Sequence, residues 1–151
     1  RRWGKDREGF ERALSAEIEA AGADLVVLAG FMRLLTPWFV ARWRDRLINI
    51  HPSLLPLFRG LDTHARALEA GVAVHGCTVH LVRDDVDAGP IIGQGVVPVI
   101  AGDTPERLAA RVVRMEHQLY PAALQAFAAG DLTVEGERII GQTVALFDPD
   151  A

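Results

Sequence analysis

The sequence predicts an α/β domain with a mostly parallel, open sheet flanked by helices. Two observations carry that prediction. Short apolar runs of strand length, in "GADLVVLAGF" and "RLINIHP", alternate with longer stretches of helical periodicity. The runs are continuous rather than polar on every second residue, as expected of strands buried on both faces.

Taken in order, residues 6–21 read as an amphipathic helix, with Phe10, Leu14, Ile18 and Ala21 at helical spacing and charges between them. Leu25 to Ala29 read as a strand buried on both faces. In "TPWFVARW", Thr36 caps a short helix with Pro37 at its first position. "RLINIHP" is a second buried strand, stopped by Pro52. Thr63 is expected to cap a helix that ends at Gly71. "HGCTVHLV" reads as a strand, "DDVDAGP" as a turn, and "IIGQGVVPVI" as a strand that Pro98 assigns to an edge. One long helix follows, opened by Thr104-Pro105 and closed by Gly130. "LTVEGERII" then reads as two short strands around Glu135-Gly136.

The 151 residues, half of them hydrophobic, suffice for one domain over 1–151 with a core of its own. The net charge is −4 and the basic residues are scattered, which argues against a nucleic-acid partner. No apolar run approaches a membrane span. Cys77 is the single cysteine, which excludes an intrachain disulfide and fits a cytoplasmic setting. No Gly-rich phosphate fingerprint follows a strand, and no G-x-S-x-G elbow is present.

Asn49 and His51 stand two apart on a strand and so point to one side. An amide donor beside a titratable imidazole suits an oxyanion and a moving proton. The plainer reading, favoured by spacing alone, has His51 bonded to a backbone carbonyl and Asn49 capping a turn. Asp84, Asp85 and Asp87 crowd a turn. One of them is placed to raise the pKa of a histidine, although a solvated acidic turn is the simpler account and no calcium-loop ladder is present. Glu116 has Val112, Val113, Leu119 and Tyr120 around it on the long helix, with Arg107, Arg111, Arg114 and Gln118 assigned to the opposite side. A carboxylate in that stripe needs either a basic partner or an amine ligand. His75 and His80 differ by an odd number and face opposite sides of a strand. With His64 they show no zinc spacing, and one of the three is expected to support the site. Cys77 is expected in the core.

"VVLAGFMRLL", "INIHPSLLP", "LDTHARALEAG", "HGCTVHLVRDDVDAGPII" and "RMEHQLYP" together resemble the phosphoribosylglycinamide formyltransferase family of purine biosynthesis, in order and spacing along nearly the whole chain. The resemblance implies a formyltransferase-type, Rossmann-like fold and transfer of a formyl group from 10-formyltetrahydrofolate to the amine of glycinamide ribonucleotide, without metal. It implies that Asn49, His51 and Asp87 are catalytic. It places the folate against Met32, Arg33, Leu34 and Leu35 and against Arg83, Asp84, Asp85 and Val86, and it brings Glu116 to the substrate amine. The methionyl-tRNA formyltransferase and formyltetrahydrofolate hydrolase patterns fit less well, because "FRGLDTHARAL" follows and Pro52 and Leu54 stand after His51. The hydrolase and a non-catalytic folate-binding module remain the alternatives. Asp62 stands where many members of the family carry a histidine. The family opens with a strand and a phosphate-gripping loop that these residues do not show. The expectation is therefore the C-terminal two-thirds of such a domain, weakly active alone, with self-association or a partner supplying the remaining strands.

Overall fold

The computed structural model describes residues 6–31 and 33–149. Its elements are α1 (Arg7–Ala20), β1 (Val26–Leu28), α2 (Pro37–Arg42), β2 (Leu47–His51), α3 (Thr63–Ala70), β3 (Val74–Leu81), β4 (Ile91–Pro98), α4 (Pro105–Ala128), β5 (Leu132–Glu135), β6 (Arg138–Gly141) and β7 (Val144–Phe147). The main sheet has five strands in the order β1-β2-β3-β4-β7, and β5 and β6 form a separate hairpin. β1 pairs with β2 in parallel and β4 with β7 in parallel, while β3 runs against both of its neighbours. Four of the five strands therefore share one direction, and the expected α/β class with a mostly parallel sheet holds.

Consecutive strand residues point to opposite faces, and Leu47 and Ile48 show which layer covers each. Ile48 joins Cys77, Val79, Leu81 and Ile92 beneath Leu108, Val112, Met115 and Leu119 of α4. Leu47 packs instead with Phe39, Val40 and Trp43 of the α2 region, and Leu14 and Ile18 of α1 close that side. The two helical layers are tied down by polar contacts. Glu11, buried in α1, accepts from the Thr36 backbone N–H at 3.1 Å and from its hydroxyl, while the Thr36 hydroxyl accepts from Phe39 N–H at 3.4 Å. The Trp43 indole N–H donates to Ser15 Oγ at 3.0 Å.

Several expectations need correction. β1 is not buried on both faces. It lies at the edge of the described sheet, and Val27 is 43% exposed. β4 is not an edge strand, since β3 and β7 flank it. Pro98 is tolerated because β7 pairing reaches only Val96, leaving Pro98 beyond the ladder on that side. Thr63 does not cap α3. Asp62 occupies the N-cap in left-handed backbone, and the Thr63 hydroxyl donates to Pro52 C=O at 2.6 Å. Arg111 is not on the solvent side of α4. It is 7% exposed and pairs with Asp103 at 2.8 and 3.0 Å, while Val113 faces outward. The short β7 has no counterpart in the sequence reading. Among the described residues no helix is long and apolar enough to cross a membrane.

Candidate active site

A pocket of about 720 Å3 opens at the carboxyl ends of β1 and β2, the usual ligand position in open α/β sheets. Its walls are the segment after β1, including Gly30, Arg33, Leu34 and Leu35, the end of β2, the turn before α3, the loop after β3, and Glu116 from α4.

The β2 side of the pocket follows from register. Asn49 and His51 share a face, and β3 presents His80 directly opposite Asn49 and Thr78 opposite His51. The loop after β3 then returns Asp87 to the same place, with its backbone in left-handed conformation at φ 54°. Asp87 Oδ2 lies 3.3 Å from His51 Nδ1 and accepts from Gly60 N–H at 2.9 Å. His51 Nε2 faces Phe58 C=O at 3.0 Å. Both ring nitrogens thus face acceptors, an arrangement that only the doubly protonated imidazolium satisfies on both sides. The plainer reading of His51, a bond to a backbone carbonyl, is therefore also present, at the nitrogen turned away from Asp87.

His80 completes the group. Its Nδ1 meets Leu81 C=O at 3.0 Å, Asn49 Nδ2 stands 3.4 Å from its Nε2, and Asp87 Oδ1 stands 3.9 Å away. Burial is the largest influence on its pKa and lowers it, so the ring is held neutral. His75 faces the opposite side of β3 and meets His64 at 3.2 Å. Burial first, then the charges of His64 and His51, push the His75 pKa down to about 4. Cys77 is a core thiol, and burial raises its pKa to about 12.

Glu116 lines the pocket from α4, and burial raises its carboxyl pKa, with His117 opposing. Among the described residues the one charge acting on it is that of His117, and no hydrogen-bond donor engages it. Asp84, Asp85 and Val86 are exposed at the pocket rim, where a solvated acidic turn describes the first two. Arg83 lines the pocket, but its guanidinium is turned away: Asp45 accepts from it at 2.6 Å and Glu137 of the β5–β6 turn at 2.9 Å. What Arg83 offers a ligand is its backbone and stem. Arg33, Leu34 and Leu35 also line the pocket, and Met32 lies outside the described residues. Among the described residues no cluster of His, Cys, Asp and Glu is arranged to hold a metal ion.

The sequence reading did not single out Phe58 C=O, Gly60 N–H or the position of His80. The two backbone groups carry no side-chain signal, and the proximity of His80 to Asn49 depends on a strand register spanning 31 residues.

The Formyl transferase family model matches residues 3–124. The chain is 52% identical over 126 residues to phosphoribosylglycinamide formyltransferase of Escherichia coli (strain K12), covering 83% of this chain and 59% of that protein. The same identity is found with the trifunctional purine biosynthetic protein adenosine-3 of Homo sapiens, of which 12% is covered. Among solved structures, phosphoribosylglycinamide formyltransferase from Coxiella burnetii superposes with a TM-score of 0.87 at 44% identity, covering 96% of this chain and 71% of that one. The chain thus spans about three-fifths of the bacterial relative it matches.

Proposed function

The chain belongs to the formyl transferase family, and from that premise we propose that it transfers the formyl group of 10-formyltetrahydrofolate to the amine of glycinamide ribonucleotide. The observation that supports this reading best is the meeting of Asn49, His51 and Asp87 in one pocket that Glu116 also lines. In this reading the residues 1–151 form one catalytic domain working in the cytoplasm.

The amine nitrogen attacks the formyl carbon, and the carbonyl oxygen takes on negative charge. His51 Nε2–H, the ring donor not committed to Asp87, passes from Phe58 C=O to that oxygen, and the Asn49 amide supplies a second N–H. Each donor of this kind lowers the barrier by about 3 kcal/mol. Asp87 accepts from His51 Nδ1–H and so orients the ring. Glu116 accepts a hydrogen from the incoming amine, and a proton moves from that amine to the departing folate nitrogen. No side chain needs to form a covalent intermediate. The folate lies between the 33–35 wall and the 83–86 rim. Main-chain groups of Arg83 hold it, and its two ring-flanking walls are Leu34, Leu35 and Val86. The open edge of β1 is the seat of further strands from a longer protein, or of a second copy.

A formyltetrahydrofolate hydrolase would use the same trio with water as the acceptor, but it would have no use for the desolvated carboxyl of Glu116. The test follows tetrahydrofolate release with and without glycinamide ribonucleotide. Amine-dependent turnover is expected. His51→Ala should lower kcat by about 10² to 10⁴-fold while folate binding survives. Turnover indifferent to the amine assigns the hydrolase, folate binding without turnover assigns a binding module, and unchanged transfer in His51→Ala overturns the role of His51.

A further inference from the structure

An asparagine amide has a donor end and an acceptor end of nearly equal shape, and its hydrogen bonds decide which end faces where. A residue that acts as an oxyanion donor must turn its nitrogen toward the ligand. His80 bears on that choice for Asn49. The two residues face each other across the β2–β3 ladder, and His80 is 2% exposed. Its Nδ1 stands 3.0 Å from Leu81 C=O, a pure acceptor, so Nδ1 carries the ring hydrogen. In the neutral ring Nε2 is then a bare lone pair. Asn49 Nδ2, which can only donate, stands 3.4 Å from that lone pair. Turning the amide over would set its oxygen against the lone pair, and two acceptors repel.

We propose that His80 is a positioning residue that fixes the orientation of the Asn49 amide, holding one Nδ2 hydrogen itself and leaving the other for a ligand oxygen. The inference rests on the reading of Asn49 as an oxyanion donor and adds the group that makes it one. The charged groups facing His80 are Asp87, 3.9 Å away through Oδ1, and His51, which Asp87 neutralises from its other oxygen. Neither of them takes Asn49 Nδ2 in place of His80.

Two substitutions separate the role from simple packing. His80→Phe keeps the ring volume and removes the acceptor. His80→Gln places an amide oxygen where Nε2 stood. His80→Phe is expected to lower kcat for formyl transfer by about 10² to 10³-fold with KM unchanged, while His80→Gln stays within about tenfold of wild type. The nitrogen spectrum of the ¹⁵N-labelled wild-type protein should show His80 with a protonated Nδ1 and a bare Nε2, and the Asn49 amide resonances should move in His80→Phe and persist in His80→Gln. A protonated Nε2 in the wild type overturns the proposal, as does wild-type kcat in a folded His80→Phe. If His80→Phe does not fold, a loss of kcat in folded His80→Gln as large as that of His51→Ala overturns it instead. If the wild-type protein transfers no formyl group at all, the catalytic reading fails, and the spectra still decide the His80–Asn49 bond.

Discussion

Glu116 brings a carboxyl into a pocket wall, where burial raises its pKa against the opposing charge of His117. The sign of the effect on stability follows directly. A raised folded-state value means the folded protein favours the neutral carboxyl, so ionisation above that value weakens the fold and the penalty disappears at lower pH. Glu116→Gln should therefore stabilise the protein at pH 7 by about 1 kcal/mol, read as a higher Tm, while formyl transfer falls about 10²-fold. An unchanged transfer rate would remove Glu116 from the site. His75 carries the opposite sign. Its pKa is depressed to about 4 and its Nδ1 has no hydrogen-bond partner among the described residues. The unfolded chain takes up a proton there near 6.5 while the folded one resists, so stability is complete above about 6.5 and is lost as pH falls toward about 4. Urea midpoints measured across that window should fall with pH in the wild type and fall less in His75→Phe. At this scale the sequence showed Asn49 and His51 together because a strand repeats every two residues. Spacing alone could not show which aspartate meets the ring; Asp87, in a loop 36 positions beyond His51, was singled out only by the family resemblance.

Among the elements, those announced by side chains next to one another were legible: Thr36-Pro37 for α2, Thr104-Pro105 for α4, and the Glu135-Gly136 turn between β5 and β6. Edge or centre is a different property, because it belongs to the neighbours. β1 reads as buried and lies at an edge, whereas β4 reads as an edge and lies inside. β7 is four residues long, and its parallel partner β4 lies about fifty positions earlier, with α4 in between. The β3–β4 pairing leaves the least room. A Cβ placed on Gly76 would stand 1.8 Å from the backbone oxygen of Gly95, which has no rotamer by which to retreat. Gly76→Ala should cost about 3 kcal/mol and lower Tm by about 10 °C. Wild-type thermal stability in that variant would contradict the close approach of these strands.

For the molecule as a whole, the decisive feature is a sheet that offers β1 as an unpaired edge among the described residues, with Val27, Phe31 and Leu34 exposed beside it. Such an edge presents free backbone donors and acceptors to any extended segment. Sedimentation of the 151-residue chain should show association that grows with concentration, and Val27→Lys should reduce it by adding charge at the edge. A monomer at all concentrations would mean that the edge is inert. The general α/β architecture and the place of the pocket were legible, because the alternation of buried runs with helices is a local pattern. How the edges are covered was not, because that depends on what lies beside the sheet. The tether from Gly60 N–H to Asp87 Oδ2 gives the molecule a built-in clock. That hydrogen trades with solvent deuterium only when the turn before α3 lets go of the carboxylate. Its rate therefore counts how often the reaction centre opens, one amide at a time, with no turnover required.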